Sequence, residues 1–186
     1  MPLDKVSAVT LTPPDGKAVR LVLEAPEKKV DSAASKDVDD KKTATKPAEP
    51  KFEFSSIPEG KKLKDRVDAT QMIKTLETLD LKDVRKAGGV EAPKDAEIFQ
   101  ALVETKDEMQ LDMTVLKSGK SDRWLTIKVR SDGKDAEAAK TIKAKVEGWE
   151  FKIPDWRSEQ IFKTSADMFE DQPKEKPVED KKADSK

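Results

Sequence analysis

Histidine, cysteine and tyrosine are all missing from this 186-residue chain. Without histidine, the commonest general base and the commonest metal-ligating side chain are gone. Without cysteine there is no disulfide, thiolate nucleophile, zinc–thiolate site or iron–sulfur cluster. Serine–histidine–aspartate and cysteine–histidine arrangements are thereby closed. The lack of cysteine says little about redox compartment, since a disulfide-free protein can live anywhere. Long apolar runs are lacking too. No stretch approaches the roughly 18 apolar residues of a membrane-spanning helix. Met1-Pro2-Leu3-Asp4-Lys5 has no signal-peptide apolar core. A cytoplasmic protein is expected if Met1 is the native start, and a piece of a longer protein otherwise.

Charge is what the chain has in abundance. Charged residues make up 40%, with 37 Lys+Arg against 38 Asp+Glu, for a net charge of −1. That balance gives no global field to attract nucleic acid or anionic lipid. Hydrophobic residues are only 35%, below the share usual in a globular domain. The deficit is not spread evenly. Pro26 to Pro50 (KKVDSAASKDVDDKKTATKPAEP at its heart) and the tail after Asp171 hold almost no large apolar side chain. Such segments bury too little surface to offset their ordering entropy, so both read as flexible. The DVDD core of the first lacks the central Gly and distal Glu of an EF-hand loop, and reads as solvated linker rather than a calcium site.

The remaining segments alternate in the manner of strands and helices. Lys5 to Ala25 reads as a β-hairpin, with Val9 and Leu11, then Val19, Leu21 and Leu23, at period two around Pro13-Pro14-Asp15-Gly16. Phe52 and Phe54 mark a short strand turned by Pro58-Glu59-Gly60. Asp68 and Gln71 form a capping box, flanked by a Val67–Met72 staple. The helix it starts carries Met72, Ile73, Leu76 and Leu79 on one face. Gly88-Gly89 and Pro93 make a loop, and Glu97 to Val103 a strand. The strongest antiparallel signal is Met109, Leu111, Met113 and Val115 against Leu125, Ile127 and Val129, joined at Ser118-Gly119. Ala136, Ala139, Ile142 and Val146 outline a second helix, stopped by Gly148. Trp149, Phe151 and Ile153 form a strand. Asp155 is placed to cap a third helix striped by Ile161, Phe162, Ser165, Met168 and Phe169. The expectation is an α+β fold: antiparallel β-hairpins with about three amphipathic helices packed on the sheet. Its parts are an N-terminal hairpin (5–25), a charged insert (26–50), the main domain (51–170) and a tail (171–186).

Two segments carry a family resemblance. The stretch Phe52 to Val84 has a strand, a Pro-Glu-Gly turn, a helix, and an ending through Leu76, Leu79, Leu81, Asp83 and Val84. The stretch Val146 to Phe169 has Gly148-Trp149, then Ile153-Pro154, Trp156 and a last amphipathic helix. Together they resemble the bacterial domain-of-unknown-function family 4340 over about 120 residues, a plausible single domain. The resemblance implies an envelope protein with an N-terminal anchor, periplasmic or extracytoplasmic, often encoded beside gliding-type ABC transporter components. It brings no catalytic residues. The charged insert departs from the family's pattern.

Residue chemistry adds no catalytic site. With 38 acids, a chance carboxylate pair is the expectation, and no spacing brings two into an apolar pocket. Ser118-Gly119-Lys120 fits a turn better than a Ser–Lys dyad. Gly88-Gly89 is no phosphate loop. Lys61, Lys62, Lys64 and Arg66 form a basic run, read as a solvated loop rather than an anion or headgroup site. Trp149 is expected in the core. Trp124 faces away from Leu125, Ile127 and Val129, and Trp156 starts a helix. These two are the candidate partner-binding residues. The functional expectation is a non-catalytic interaction or scaffold domain of a membrane-associated envelope complex, accessory to an ABC transporter. A small-molecule or glycan-binding module is the alternative, and a carboxylate or Ser–Lys hydrolase the third reading. No cofactor or metal is called for, and a protein partner is expected.

Overall fold

The computed structural model describes residues 3–24, 50–89, 93–119, 122–131 and 136–172. The DVDD motif and the bulk of the charged insert and tail lie outside these residues. Two strands, β1 (Val6–Thr12) and β2 (Val19–Leu23), form the expected N-terminal hairpin, with Gly16 at φ +76° in its turn. β3 (Phe52–Phe54) adds to β2, so the hairpin is part of the main sheet. β6 (Glu97–Thr105), β7 (Met109–Ser118) and β8 (Asp122–Ser131) make a long antiparallel meander. Before it in sequence come β4 (Lys61–Leu63), α1 (Ala69–Glu77) and β5 (Asp83–Lys86). After it come α2 (Ala136–Val146), β9 (Trp149–Lys152), α3 (Asp155–Ile161), the single-turn α4 (Ser165–Met168) and β10 (Phe169–Asp171).

Eight strands join in the order β3-β2-β1-β6-β7-β8-β9-β5, every neighbouring pair antiparallel, while β4 and β10 form a separate ribbon. The fold is α+β, as the hairpin pattern predicts. Alternation dictates two unlike faces. One carries Val9, Leu11, Leu21, Phe99, Ala101, Val103, Leu111, Met113, Val115 and Leu125, all buried. The other carries cross-strand ion pairs: Arg20–Glu104 at 2.6 Å, Arg130–Asp112 at 3.1 Å, Arg85–Glu150 at 2.6 Å and Lys152–Asp122 at 2.7 Å.

Helices cover the apolar face. Asp68 caps α1 by accepting the Gln71 N–H at 3.0 Å, and Met72 and Ile73 are buried beneath it. Beside it lies α3, and the buried Thr75 hydroxyl, which donates to the Gln71 carbonyl at 2.9 Å, sits 3.2 Å from Gln160 Oε1. α2 packs on β8.

Three expectations are corrected. The third helix is two. Thr164 breaks it with a capping box of its own, its hydroxyl accepting the Asp167 N–H while Asp167 accepts the Thr164 N–H. Asp155 is not its N-cap. Pro154 holds that position, and the Asp155 carboxylate turns instead to Arg123 at 2.8 Å. Trp149 is not in the core but 38% exposed, because it opens a four-residue strand at the narrow end of the sheet.

The turn between β6 and β7 holds local strain. Glu108 closes a three-residue loop at φ +65°, a left-handed conformation that suits Gly or Asn. The buried Thr105 hydroxyl braces it, accepting the Met109 N–H at 3.0 Å and donating to the Met109 carbonyl at 3.2 Å. Glu108→Gly is therefore expected to raise stability by up to about 1 kcal/mol. Leu125→Ala, at a fully buried position, is expected to cost about 2–5 kcal/mol. Urea denaturation of both variants checks the pair; a destabilised glycine variant would contradict the strain.

Candidate functional site

The sheet edges come first, because an open edge strand invites a partner strand. Both ends of the eight-stranded sheet are short: β3 has three residues and β5 has four. Each is also capped. The Phe52 N–H donates to Thr70 Oγ1 at 2.9 Å, and the Val84 N–H donates to its neighbour Asp83 at 2.8 Å. Charge on Asp83, Arg85 and Lys86 blunts β5 further. Strand addition is poorly served at either end.

The two tryptophans expected to meet a partner lie on different layers. Trp124 is half-buried on the ion-paired face. The Arg85 guanidinium carbon stands 3.8 Å from its ring centroid and the Lys152 ammonium 5.8 Å. Both cations are anchored, Arg85 by Glu150 and Lys152 by Asp122. The hydrogen bond from Lys152 holds the Asp122 carboxyl below its ordinary range. Cross-strand register sets Ile98, Leu116 and Trp124 in one row, with Ile98 exposed. Trp156 sits in the first turn of α3 and is 51% exposed. Arg157 lies 4.2 Å from its ring centroid and donates from Nε and Nη2 to Asp80 at 3.2 and 3.1 Å.

The basic run is neither a loop nor an anion site along its first half. Lys61 and Lys62 lie in β4 and face Asp171 and Glu170 of β10, at 2.6 and 2.8 Å. Hydrogen bonding from the lysines lowers both acids' pKa values and Glu170 raises that of Lys62. Lys64 donates to the Ala166 carbonyl at 2.6 Å. Arg66 alone of the four faces a cleft.

Two of the hollows on the helical side stand out by their linings. The first is an apolar pocket of about 270 Å³ between α1 and α2. Ile73, Leu76 and Leu79 wall one side, Ile142 and Val146 the other, and Val103, Leu111 and Met113 form the floor. The one charged residue lining it is Glu77, which is exposed. The second is a cleft of about 490 Å³ under α3 and α4. Its apolar surface comes from Phe99, Val115 and Phe162, the two rings edge to face at 6.1 Å. Four cations line it, Arg66, Lys117, Arg123 and Lys163, against Glu159 and Asp167. Arg123 is buried, and its guanidinium reaches Asp155 at 2.8 Å and Glu159 at 3.3 Å.

Sequence reasoning passed over Arg123, though its signal was present. It precedes Leu125, Ile127 and Val129 at period two, which puts an arginine on the buried face. The pocket had no such signal. Its walls are ordinary amphipathic stripes, and the gap between two helices is not written in either one. No protein-family model, curated protein or solved structure matches the chain.

Asp167, at the cleft's edge, gives a pH-dependent expectation. The Thr164 hydroxyl, bonded to it at 2.7 Å, holds its carboxyl below the ordinary range against the opposing effect of burial. A lowered value means the stabilisation is complete above the ordinary carboxylate range and is lost as pH falls through the lowered one. Asp167→Asn should therefore show a shallower loss of stability as pH falls from about 5 to about 2 than the parent chain. Thr164→Ala should cost about 1 kcal/mol at neutral pH. Parallel acid profiles for parent and Asp167→Asn would contradict the assignment.

Proposed function

We propose that this chain is a non-catalytic binding domain that holds an aliphatic group in the pocket between α1 and α2. The observation that carries this reading is the pocket itself. Protein interiors are close-packed, and voids beyond the size of a water molecule are few. The pocket opens to solvent, yet its walls give water little to bind. Water gains little there, since it needs two to four polar partners. The walls offer aliphatic side chains, and Glu77 stands as the single charge. A hydrocarbon chain or ring restores the missing contacts at little desolvation cost, and binding sites of small molecules have this apolar character.

The resemblance to an envelope family supports placing this domain in a membrane-associated complex, where aliphatic ligands abound. A partner-docking role is the second reading. The row of exposed Ile98 with half-buried Leu116 and Trp124 favours it, since apolar residues on an otherwise ion-paired face mark contact surfaces. With edge strands this short, a partner would meet side chains rather than extend the sheet.

A neutral fluorescent hydrophobe, N-phenyl-1-naphthylamine, tests the first reading. Saturable binding is expected, with competition by decanol. Ile142→Phe fills the pocket from α2. It should abolish binding while leaving stability unchanged or raised by about 1 kcal/mol. Unsaturable fluorescence, or equal binding by a folded Ile142→Phe variant, would remove the basis of the proposal.

A further inference from the structure

The geometry points to a second site: the cleft under α3 and α4 binds a phosphate monoester attached to a small apolar or aromatic body. Four cations line the cleft, and two of them are met by carboxylates, Arg123 by Asp155 and Glu159 and Lys117 by Glu97. The carboxylates are also occupied. Glu159 pairs with Arg123, and Asp167 is bound to Thr164 in the capping box. Lys117 is held by Glu97 at 2.6 Å. Arg66 and Lys163, by contrast, make no ion pair among the described residues, though the Lys163 charge helps hold the Asp167 carboxyl below its ordinary range. They come from different elements, Arg66 from the loop before α1 and Lys163 from the link between α3 and α4. An oxyanion in the cleft can draw on both of these cations. The edge-to-face pair of Phe99 and Phe162 sets the rest of the ligand's chemistry. An apolar surface beside a cationic one favours a ligand with one face of each kind. A volume of about 490 Å³ accommodates such a molecule. This site is separate from the aliphatic pocket and shares no lining residue with it.

Phenyl phosphate is the probe, followed by amide chemical shifts and by calorimetry at low and at physiological salt. Saturable binding is expected, with shifts at Lys163, Thr164 and Phe99, weakening as salt rises. The double variant Arg66→Gln/Lys163→Gln should weaken it at least tenfold. Lys145→Gln, on α2 and outside the cleft, should leave it unchanged. Vesicles with phosphatidic acid in a phosphatidylcholine background separate the two sources of the same chemistry. Phenyl phosphate binding alone assigns a soluble ligand, and sedimentation with vesicles that the double variant loses assigns a lipid headgroup. Absence of both, or binding that the double variant retains, overturns the proposal.

Discussion

The described structure depends on one geometric constraint: a wide sheet with a single apolar face and, among the described residues, short helices to cover it. Eight strands at about 4.8 Å spacing span about 34 Å, and the ten-residue strands of the meander run to about 33 Å. Against that area stand helices of nine, eleven and seven residues. At 1.5 Å per residue they are roughly 10–17 Å long, and each is about 10 Å across. They cannot tile the face without gaps. The gap between α1 and α2 is the aliphatic pocket, and the space under α3 and α4 is the cationic cleft. The same shortage leaves Trp149 and Val84 exposed where the sheet narrows.

The opposite face solves a different problem. Among the described residues no helix packs on it, so it must be compatible with water while remaining a sheet. Cross-strand pairs of opposite charge do this, each contributing little alone but together setting register. Arg85 shows how the pieces connect. It pairs with Glu150 on β9 and stacks on Trp124 of β8, so one guanidinium ties three strands at the thin end of the sheet. On each edge strand one N–H is met by the chain's own side chain, Phe52 by Thr70 and Val84 by Asp83.

Much of the fold was legible in the sequence. The alternation from Met109 to Val129 specified the central meander and both its faces, and Asp68 and Gly148 marked helix boundaries. What was not legible depends on distance along the chain. β4 and β10 are three residues each, too short to show a period, and their pairing joins Lys61 to Asp171, 110 residues away. Placing β1 beside β6, and β5 at the far edge beside β9, likewise needs three-dimensional packing. The split of the last helix was readable, since Thr164 and Asp167 are a capping-box pair, but the apolar stripe ran through it and dominated the reading. Of the site, Arg123 announced itself by its parity, while the pocket is a property of the gap between α1 and α2 and belongs to no single segment.

The central claim is that the helical layer leaves an apolar hollow that the folded protein keeps open. Xenon tests it directly, because the atom enters dry apolar cavities and ignores polar ones. Crystals of the protein pressurised with xenon should show a bound atom among Ile73, Val103 and Ile142, with the surrounding helices unmoved. Pressurised crystals with no xenon there, and α1 and α2 closed upon each other, would contradict the account.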